Sequence, residues 1–222
     1  MRKTKEDSEK TRQDIIDAGI AIFSENWYAS VKMSDIAKKA GITRGAIYWH
    51  FKNKMILFIE IHKLVAEEVT AIISKSFTEG EETIQEKLFS ALKNIILKFY
   101  NDKRLRTMSK VLNINQSVFD KKEFKGWHTK YQKEKRLFFS ELFNKSIGIN
   151  IGEFICEKKF FVEFLSIAAY LHGLISILEE SISMKKLDND DISKLINIFL
   201  YGLFSHLPTT LPGKNKGESN AH

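Results

Sequence analysis

The chain has 222 residues, 43% of them hydrophobic and 28% charged, and it carries a net charge of +7 at neutral pH. This length suits one large domain or two small ones, and the positive charge is modest evidence for a polyanionic partner. No run of about 18 apolar residues predicts a membrane span, and the N-terminal segment has no apolar signal core. The single cysteine, Cys156, cannot form an internal disulfide. Together these features favour a cytoplasmic location.

Helical patterns dominate the chain, and alternating strand patterns are not evident. The only prolines, Pro208 and Pro212, lie near the end, so long unbroken helices are allowed. We predict an all-α fold with nine helices, near residues 8–27, 34–40, 44–51, 54–77, 82–101, 104–117, 121–147, 157–182 and 188–206. We divide it into an N-terminal three-helix domain (1–53), a C-terminal six-helix domain (54–208) and a polar tail (209–222) that we expect to be disordered.

The segment 34–54 has the pattern of a helix-turn-helix. A first short helix runs from Ser34 to Ala40, and Gly41 can adopt the left-handed conformation that ends it. Thr43 then offers a side-chain oxygen that can cap the next helix. In such a motif the second helix enters the major groove of DNA, so the segment predicts DNA binding.

The two faces of this second helix predict different roles. Ile47 and Phe51 lie one turn apart and form the buried face. The opposite arc carries groups that can bind bases or phosphates, namely Arg44, Gly45, Tyr48 and Trp49. Two large exposed aromatic side chains on a short helix are unfavourable unless a partner covers them. The alternative, that both aromatics belong to the core of a longer helix, is disfavoured because the apolar face is already filled.

The helix-turn-helix segment resembles the signature of the TetR family of transcriptional regulators. The likeness lies in the run Thr-Arg-Gly-Ala-Ile-Tyr-Trp-His-Phe from Thr43 to Phe51, preceded by Ser34-Asp35-Ile36-Ala37 and Gly41. Its Tyr-Trp-His-Phe form is similar to the AcrR- and TtgR-like branch, which represses multidrug efflux. The resemblance implies DNA contacts by Thr11, Ser34, Thr43, Arg44, Gly45, Tyr48, Trp49, His50 and Lys54.

The C-terminal part of the chain has no catalytic spacing. It lacks metal-binding histidine motifs, a glycine-rich phosphate loop and clustered cysteines. His62, His128, His172 and His206 are isolated in the sequence, so packing or surface roles are favoured over metal ligation. We therefore predict no enzyme activity, no cofactor and no metal site.

Large apolar residues are in excess in the C-terminal helices. An ordinary core explains most of them, but in the family that the chain resembles helices four to eight enclose an apolar cavity that suits a lipophilic ligand. The candidate ligand-binding residues are His62, Val65, Met108, Leu112, Asn115, Gln116, Phe138 and Phe164. Residues 112–118 depart from the relatives in sequence, so the identity of a ligand does not carry over.

The last two predicted helices have the features of a dimer interface. Helix nine is apolar around more than one face, and small residues in helix eight allow helices to approach closely. A fully internal core is the alternative. The resemblance implies a four-helix interface between two subunits, with candidate contacts at Ala168, Ala169, Gly173, Phe199 and Leu203.

These features predict a ligand-responsive dimeric transcriptional repressor with an N-terminal DNA-binding domain and a C-terminal ligand-binding and dimerisation domain. Its expected partners are a palindromic double-stranded DNA operator, a lipophilic small-molecule inducer and a second copy of the chain, and no membrane. Its expected target is a multidrug efflux system. Two alternatives stay open: a DNA-binding activator or architectural protein without a ligand, and a helical lipid carrier or enzyme with a vestigial DNA-binding head.

Overall fold

The computed structural model describes residues 4–78 and 83–147, together with positions 188, 190, 191, 193, 194 and 197. The continuous part of this description contains α-helices, one 3-10 helix and no strand, so the all-α prediction is confirmed. The elements are α1 (Lys5–Phe23), α2 (Met33–Lys39), α3 (Arg44–His50), α4 (Lys54–Thr78), α5 (Ile84–Asn101), α6 (Lys103–Ile114), the 3-10 helix (Gln116–Asp120) and α7 (Lys122–Ile147). Predicted helix eight and the tail lie outside the described residues.

Helix α1 begins and ends about one turn earlier than the predicted range 8–27. The Thr4 side chain accepts a hydrogen bond from the Asp7 N–H, and the Asp7 carboxylate accepts one from the Thr4 N–H, both at 3.1 Å. This reciprocal cap fixes the start of the helix at Lys5. Phe23 is the last residue of the helix, and Ser24 forms its C-terminal cap.

The predicted turn between the two short helices is confirmed. Gly41 has a φ of 68°, the left-handed conformation that favours glycine after a helix. The Thr43 side chain accepts a hydrogen bond from the Ala46 N–H at 3.2 Å and so caps α3. Ile47 and Phe51 are almost completely buried, as their helical spacing predicts. The second helix ends at His50, and Phe51 lies just beyond it.

Helices α1–α3 form an N-terminal head that packs directly on a body formed by α4–α7. Helix α1 contacts α4 and α6 as well as α2. The crossing with α4 is close at Gly19, where a Cβ atom would lie 3.1 Å from a methyl carbon of Leu57. Arg12 on α1 also pairs with Glu60 on α4 at 2.6 Å. Head and body therefore share one apolar core, and the domain boundary at residue 53 stays a prediction.

The predicted sixth helix, 104–117, ends earlier, at Ile114. The reason is Asn115, whose side-chain Nδ2 turns back and donates to the Val111 carbonyl at 2.9 Å. The chain continues as the 3-10 helix, which leads into α7. This change of direction places the end of α6 beside the head.

Candidate nucleic-acid interface

The outer face of α3 is exposed and carries hydrogen-bond donors. Trp49 is 74% exposed and Tyr48 is 41% exposed, and both Arg44 and Gly45 are also exposed. The Trp49 ring packs edge-on against the His50 ring, with centroids 4.6 Å apart. Because the opposite face of α3 is packed in the core, the position of the helix that carries these groups is fixed. A guanidinium, a phenol and an indole N–H can together address base edges and phosphates.

The remaining predicted contacts of the head differ in their surroundings. Ser34 and Thr43 are exposed near the helix-turn-helix, and His50 is half-buried. Thr11 is only 9% exposed, and its hydroxyl donates to the Asp7 carbonyl within α1 at 2.8 Å. The Thr11 hydroxyl is therefore directed at its own helix. The predicted DNA contacts of these residues stay predictions.

Lys54 has a second role that the sequence did not indicate. Its ammonium donates to the carbonyls of Tyr28 and Val31, the latter at 2.6 Å, and lies 4.4 Å from the centroid of the Tyr28 ring. Burial and the neighbouring Lys121 lower the pKa of Lys54 below its ordinary value. The ammonium thus fastens the loop between α1 and α2 to the start of α4. A phosphate contact would compete with these carbonyls.

Asn115, one of the predicted ligand-binding residues, is held inside the protein by hydrogen bonds to the backbone. The residue is fully buried. Its Oδ1 accepts a hydrogen bond from the Tyr28 N–H, and its Nδ2 donates to the Phe23 carbonyl at 3.2 Å as well as to Val111. The side chain therefore binds the end of α1 and the loop that follows. We call Asn115, Tyr28 and Lys54 the head–body joint.

The other candidate ligand residues differ in their exposure. Val65 and Met108 are buried in the shared core, and Leu112 is half-buried against it. Gln116 is exposed, and Phe138 is 42% exposed at the surface of α7. Phe164 and the five candidate dimer contacts lie outside the described residues, and all of these assignments stay predictions.

His62 lies in a group of aromatic side chains from α4, the 3-10 helix and α7. Its ring centroid is 6.0 Å from that of Phe119, 5.3 Å from Phe124, 5.2 Å from Trp127 and 5.9 Å from His128. We call these five residues the aromatic wall. Burial, assisted by the nearby His128, lowers the pKa of His62 from 6.5 to about 4, so the imidazole is neutral at neutral pH.

Over residues 4–78 and 83–147 and the six single positions, no group of three or more His, Cys, Asp or Glu side chains is placed to hold a metal ion. None of the helices described is both long and apolar enough to cross a bilayer.

Comparison with known proteins identifies the N-terminal region. Residues 15–61 match the family model described as bacterial regulatory proteins, tetR family. The transcriptional regulator AcrR of Shigella flexneri is 30% identical over 212 residues, which cover 90% of this chain and 94% of AcrR.

Solved structures share the fold of the chain. NalD of Pseudomonas aeruginosa, the secondary repressor of the MexAB-OprM multidrug efflux pump, aligns with a TM-score of 0.59 and 22% identity, covering 89% of this chain and 97% of NalD. SmeT, solved in complex with triclosan, aligns with a TM-score of 0.56 and 19% identity, covering 92% of this chain and 98% of SmeT. From the helix-turn-helix geometry, the matching family model and the likeness to AcrR over nearly its whole length, we conclude that this chain is a transcriptional regulator of the TetR family and not an enzyme.

Proposed function

We propose that the chain is a dimeric repressor that binds a palindromic operator, controls a multidrug efflux system and is released by a lipophilic inducer. NalD, which shares the fold, represses an efflux pump, and SmeT, which also shares it, binds triclosan. These relatives support the proposed target and the proposed kind of ligand. A repressor must reach the chromosome, so the proposal includes a cytoplasmic location.

The observation that carries the DNA-binding half is the exposed face of α3. A helix that buries Ile47 and leaves Arg44, Tyr48 and Trp49 exposed has the arrangement of a recognition helix. Twofold symmetry would present two such helices to successive major grooves, about 34–36 Å apart. The test is nuclease footprinting on the DNA that flanks the gene. A single protected palindrome supports the proposal, and even protection of unrelated DNA favours an architectural protein instead.

The ligand-responsive half is supported by the head–body joint. The joint connects the end of α6 to the loop that leads into the helix-turn-helix, so a displacement of α6 or of the 3-10 helix must move this loop or break its hydrogen bonds. An inducer that favours the displaced state would shift the population toward heads with the wrong spacing for the operator. The expected coupling is about 1–3 kcal/mol, which corresponds to about 5- to 150-fold in affinity.

Reciprocity tests this half of the proposal. Calorimetry measures the affinity of the protein for a lipophilic compound with and without saturating operator. Linkage requires that the operator lowers the affinity for the compound by the same factor by which the compound lowers the affinity for the operator. Equal affinities in the two titrations would mean that the compound is not an inducer. If no compound of a broad lipophilic panel binds, the ligand-responsive part of the proposal fails and only a dimeric DNA-binding protein remains proposed.

A substitution in predicted helix nine tests the proposed dimer interface. An unpaired charge buried in an interface is strongly unfavourable, so we expect Phe199→Asp to dissociate the dimer and to weaken operator binding. Asn197→Asp is the matched control, because Asn197 is exposed and gains the same charge. Sedimentation velocity measures the outcome. An intact dimer for Phe199→Asp would exclude this residue from the interface.

A further inference from the structure

Helix α3 is too short to hold its own position. It has seven residues, and isolated helices of this length are not stable in water. It packs mainly on α2 and has fewer contacts with α1 and α4. The direction in which it presents its exposed face therefore depends on the few side chains that tie it to these two helices.

The C-terminal end of α3 is anchored by Phe51. Its backbone N–H donates to the Ile47 carbonyl at 2.8 Å and closes the last turn of the helix. Its ring is almost completely buried. The guanidinium of Arg12, on α1, lies over this ring, with Cζ 5.2 Å from the ring centroid. A cation over the face of an aromatic ring is attracted by the ring, so Arg12 holds the end of α3 against α1.

The same guanidinium also contacts α4. Nη2 of Arg12 lies 2.6 Å from Oε1 of Glu60, and the two side chains are only 31% and 22% exposed. Such a pair is less screened by water and salt than a fully exposed one. A second carboxylate, that of Glu9 on α1, lies farther away, 4.0 Å from Nη1. One side chain on α1 thus contacts both the end of α3 and the side of α4.

We propose that Arg12 is a positioning residue of the recognition helix, which fixes the direction of α3 through its contacts with Phe51 and Glu60. This inference rests on the proposed operator binding and adds a residue that acts on DNA through another residue. Without the guanidinium, the end of α3 also samples orientations in which base contacts are lost. The apparent affinity for the operator then falls with the fraction of heads in the competent orientation.

Loss of the Arg12 contacts should affect the operator more than unrelated DNA. Base edges are read in one register only, whereas every sequence offers phosphates to a slightly rotated helix. A residue that only stabilises the fold would lower the free energy of unfolding and leave the ratio of the two affinities unchanged in the folded protein. The ratio of operator affinity to scrambled-DNA affinity therefore separates positioning from stability.

A second ion pair between head and body provides the matched control. Nη2 of Arg104, on α6, lies 2.9 Å from Oδ1 of Asp17, on α1. Arg12→Met and Arg104→Met remove the same charge, and each breaks one ion pair between α1 and the body. The Arg12 contacts include Phe51 at the end of α3, whereas the Arg104 ion pair is with Asp17.

The test measures binding of the full-length protein to the footprinted operator and to a scrambled duplex of equal length by fluorescence anisotropy. The temperature is one at which circular dichroism shows every variant folded. We expect Arg12→Met to lower the ratio of the two affinities by about 5- to 30-fold, as for closely coupled residues. We expect Arg104→Met to change it by less than about twofold. Equal ratios for the two variants would overturn the proposal.

Glu60→Gln tests the other partner of Arg12 with little change of shape. If Arg12 is positioned by Glu60, this variant also lowers the ratio, and the double variant with Arg12→Met loses no more than Arg12→Met alone. Additive losses would contradict a shared pathway. If Arg12 instead binds a phosphate directly, Glu60→Gln frees its guanidinium and raises the affinity for both DNAs, which would also overturn the proposal. If Arg12→Met does not fold, Arg12→Lys replaces it, because a lysine keeps the charge and loses the planar group over Phe51.

Hydrogen exchange of residues 44–51 in the DNA-free protein gives a readout that needs no operator. If the wild type selects an operator but the ratio does not fall in Arg12→Met, this inference fails and the proposed function stands. If the wild type selects no operator, the proposed function fails and exchange decides the inference alone. Faster exchange in Arg12→Met than in Arg104→Met would then support it, and equal exchange would overturn it.

Discussion

Replacing Asn115 with alanine tests how the body holds the DNA-binding head. The substitution removes three hydrogen bonds and leaves the Tyr28 N–H and the Phe23 carbonyl without their partner in the interior. Each lost bond contributes about 0.5–1.5 kcal/mol, and a buried group left unpaired costs about 1–3 kcal/mol. We therefore expect the free energy of unfolding to fall by about 2–4 kcal/mol, a large share of the total stability of about 5–15 kcal/mol that is usual for a domain.

The assay is urea unfolding followed by far-ultraviolet circular dichroism. Asn113→Ala is the matched control: it makes the same change near the end of the same helix, at an exposed side chain. Exposed substitutions of this kind usually change stability by less than about 0.5 kcal/mol. Equal unfolding midpoints for the two variants would refute the reasoning, because they would mean that the buried contacts contribute nothing.

A second measurement separates a purely structural role from coupling to DNA. At a temperature where the Asn115→Ala protein is fully folded, we expect its operator affinity to be lower than that of Asn113→Ala, since the loop that positions the helix-turn-helix has lost one of its attachments. Unchanged operator affinity in the folded variant would restrict Asn115 to stability and would remove the joint from the proposed switch.

Three further predictions concern single side chains. Arg44→Ala should lower the binding free energy for the operator by about 1–3 kcal/mol in a gel-shift titration. This loss should exceed that of Lys110→Ala, which removes the same charge from α6. Equal losses of affinity for operator and scrambled DNA would contradict a role of Arg44 in reading bases. Lys54→Met should lower the free energy of unfolding by about 1–3 kcal/mol, because the contacts of the ammonium with the carbonyls are lost. If the slope of log operator affinity against log salt concentration also becomes shallower by about one unit, Lys54 contacts a phosphate. His62 has a pKa of about 4 in the folded protein against 6.5 when unfolded, so only the unfolded state gains its proton between these values. The free energy of unfolding should therefore fall as the pH drops through this window, by at most about 1.4 kcal/mol per pH unit. Urea titrations at neutral pH and within the window should show a smaller fall for His62→Phe than for the wild type. An identical fall in the two proteins would contradict the lowered pKa of His62.

The sequence by itself determined the local features of the head. Gly41, Thr43 and Ile47 were assigned correctly because each role depends on a few neighbouring residues: a left-handed turn, a cap three residues from its donor, and a face repeated at helical spacing. The all-α class followed for the same reason, because helical hydrogen bonds are local. Helix ends were less predictable, since the first cap lies at Thr4, before the apolar pattern begins.

The tertiary structure alone decided what Lys54, Asn115 and His62 do. The partners of Lys54 and Asn115 are backbone groups separated from them by 23 and 87 positions in the chain, at Val31 and Tyr28. Every residue type offers such backbone groups, so no sequence pattern marks them. The neutrality of His62 likewise results from burial against rings contributed by α7 and the 3-10 helix. Desolvation and long-range hydrogen bonds depend on which elements meet in space, and that is fixed only when the helices pack.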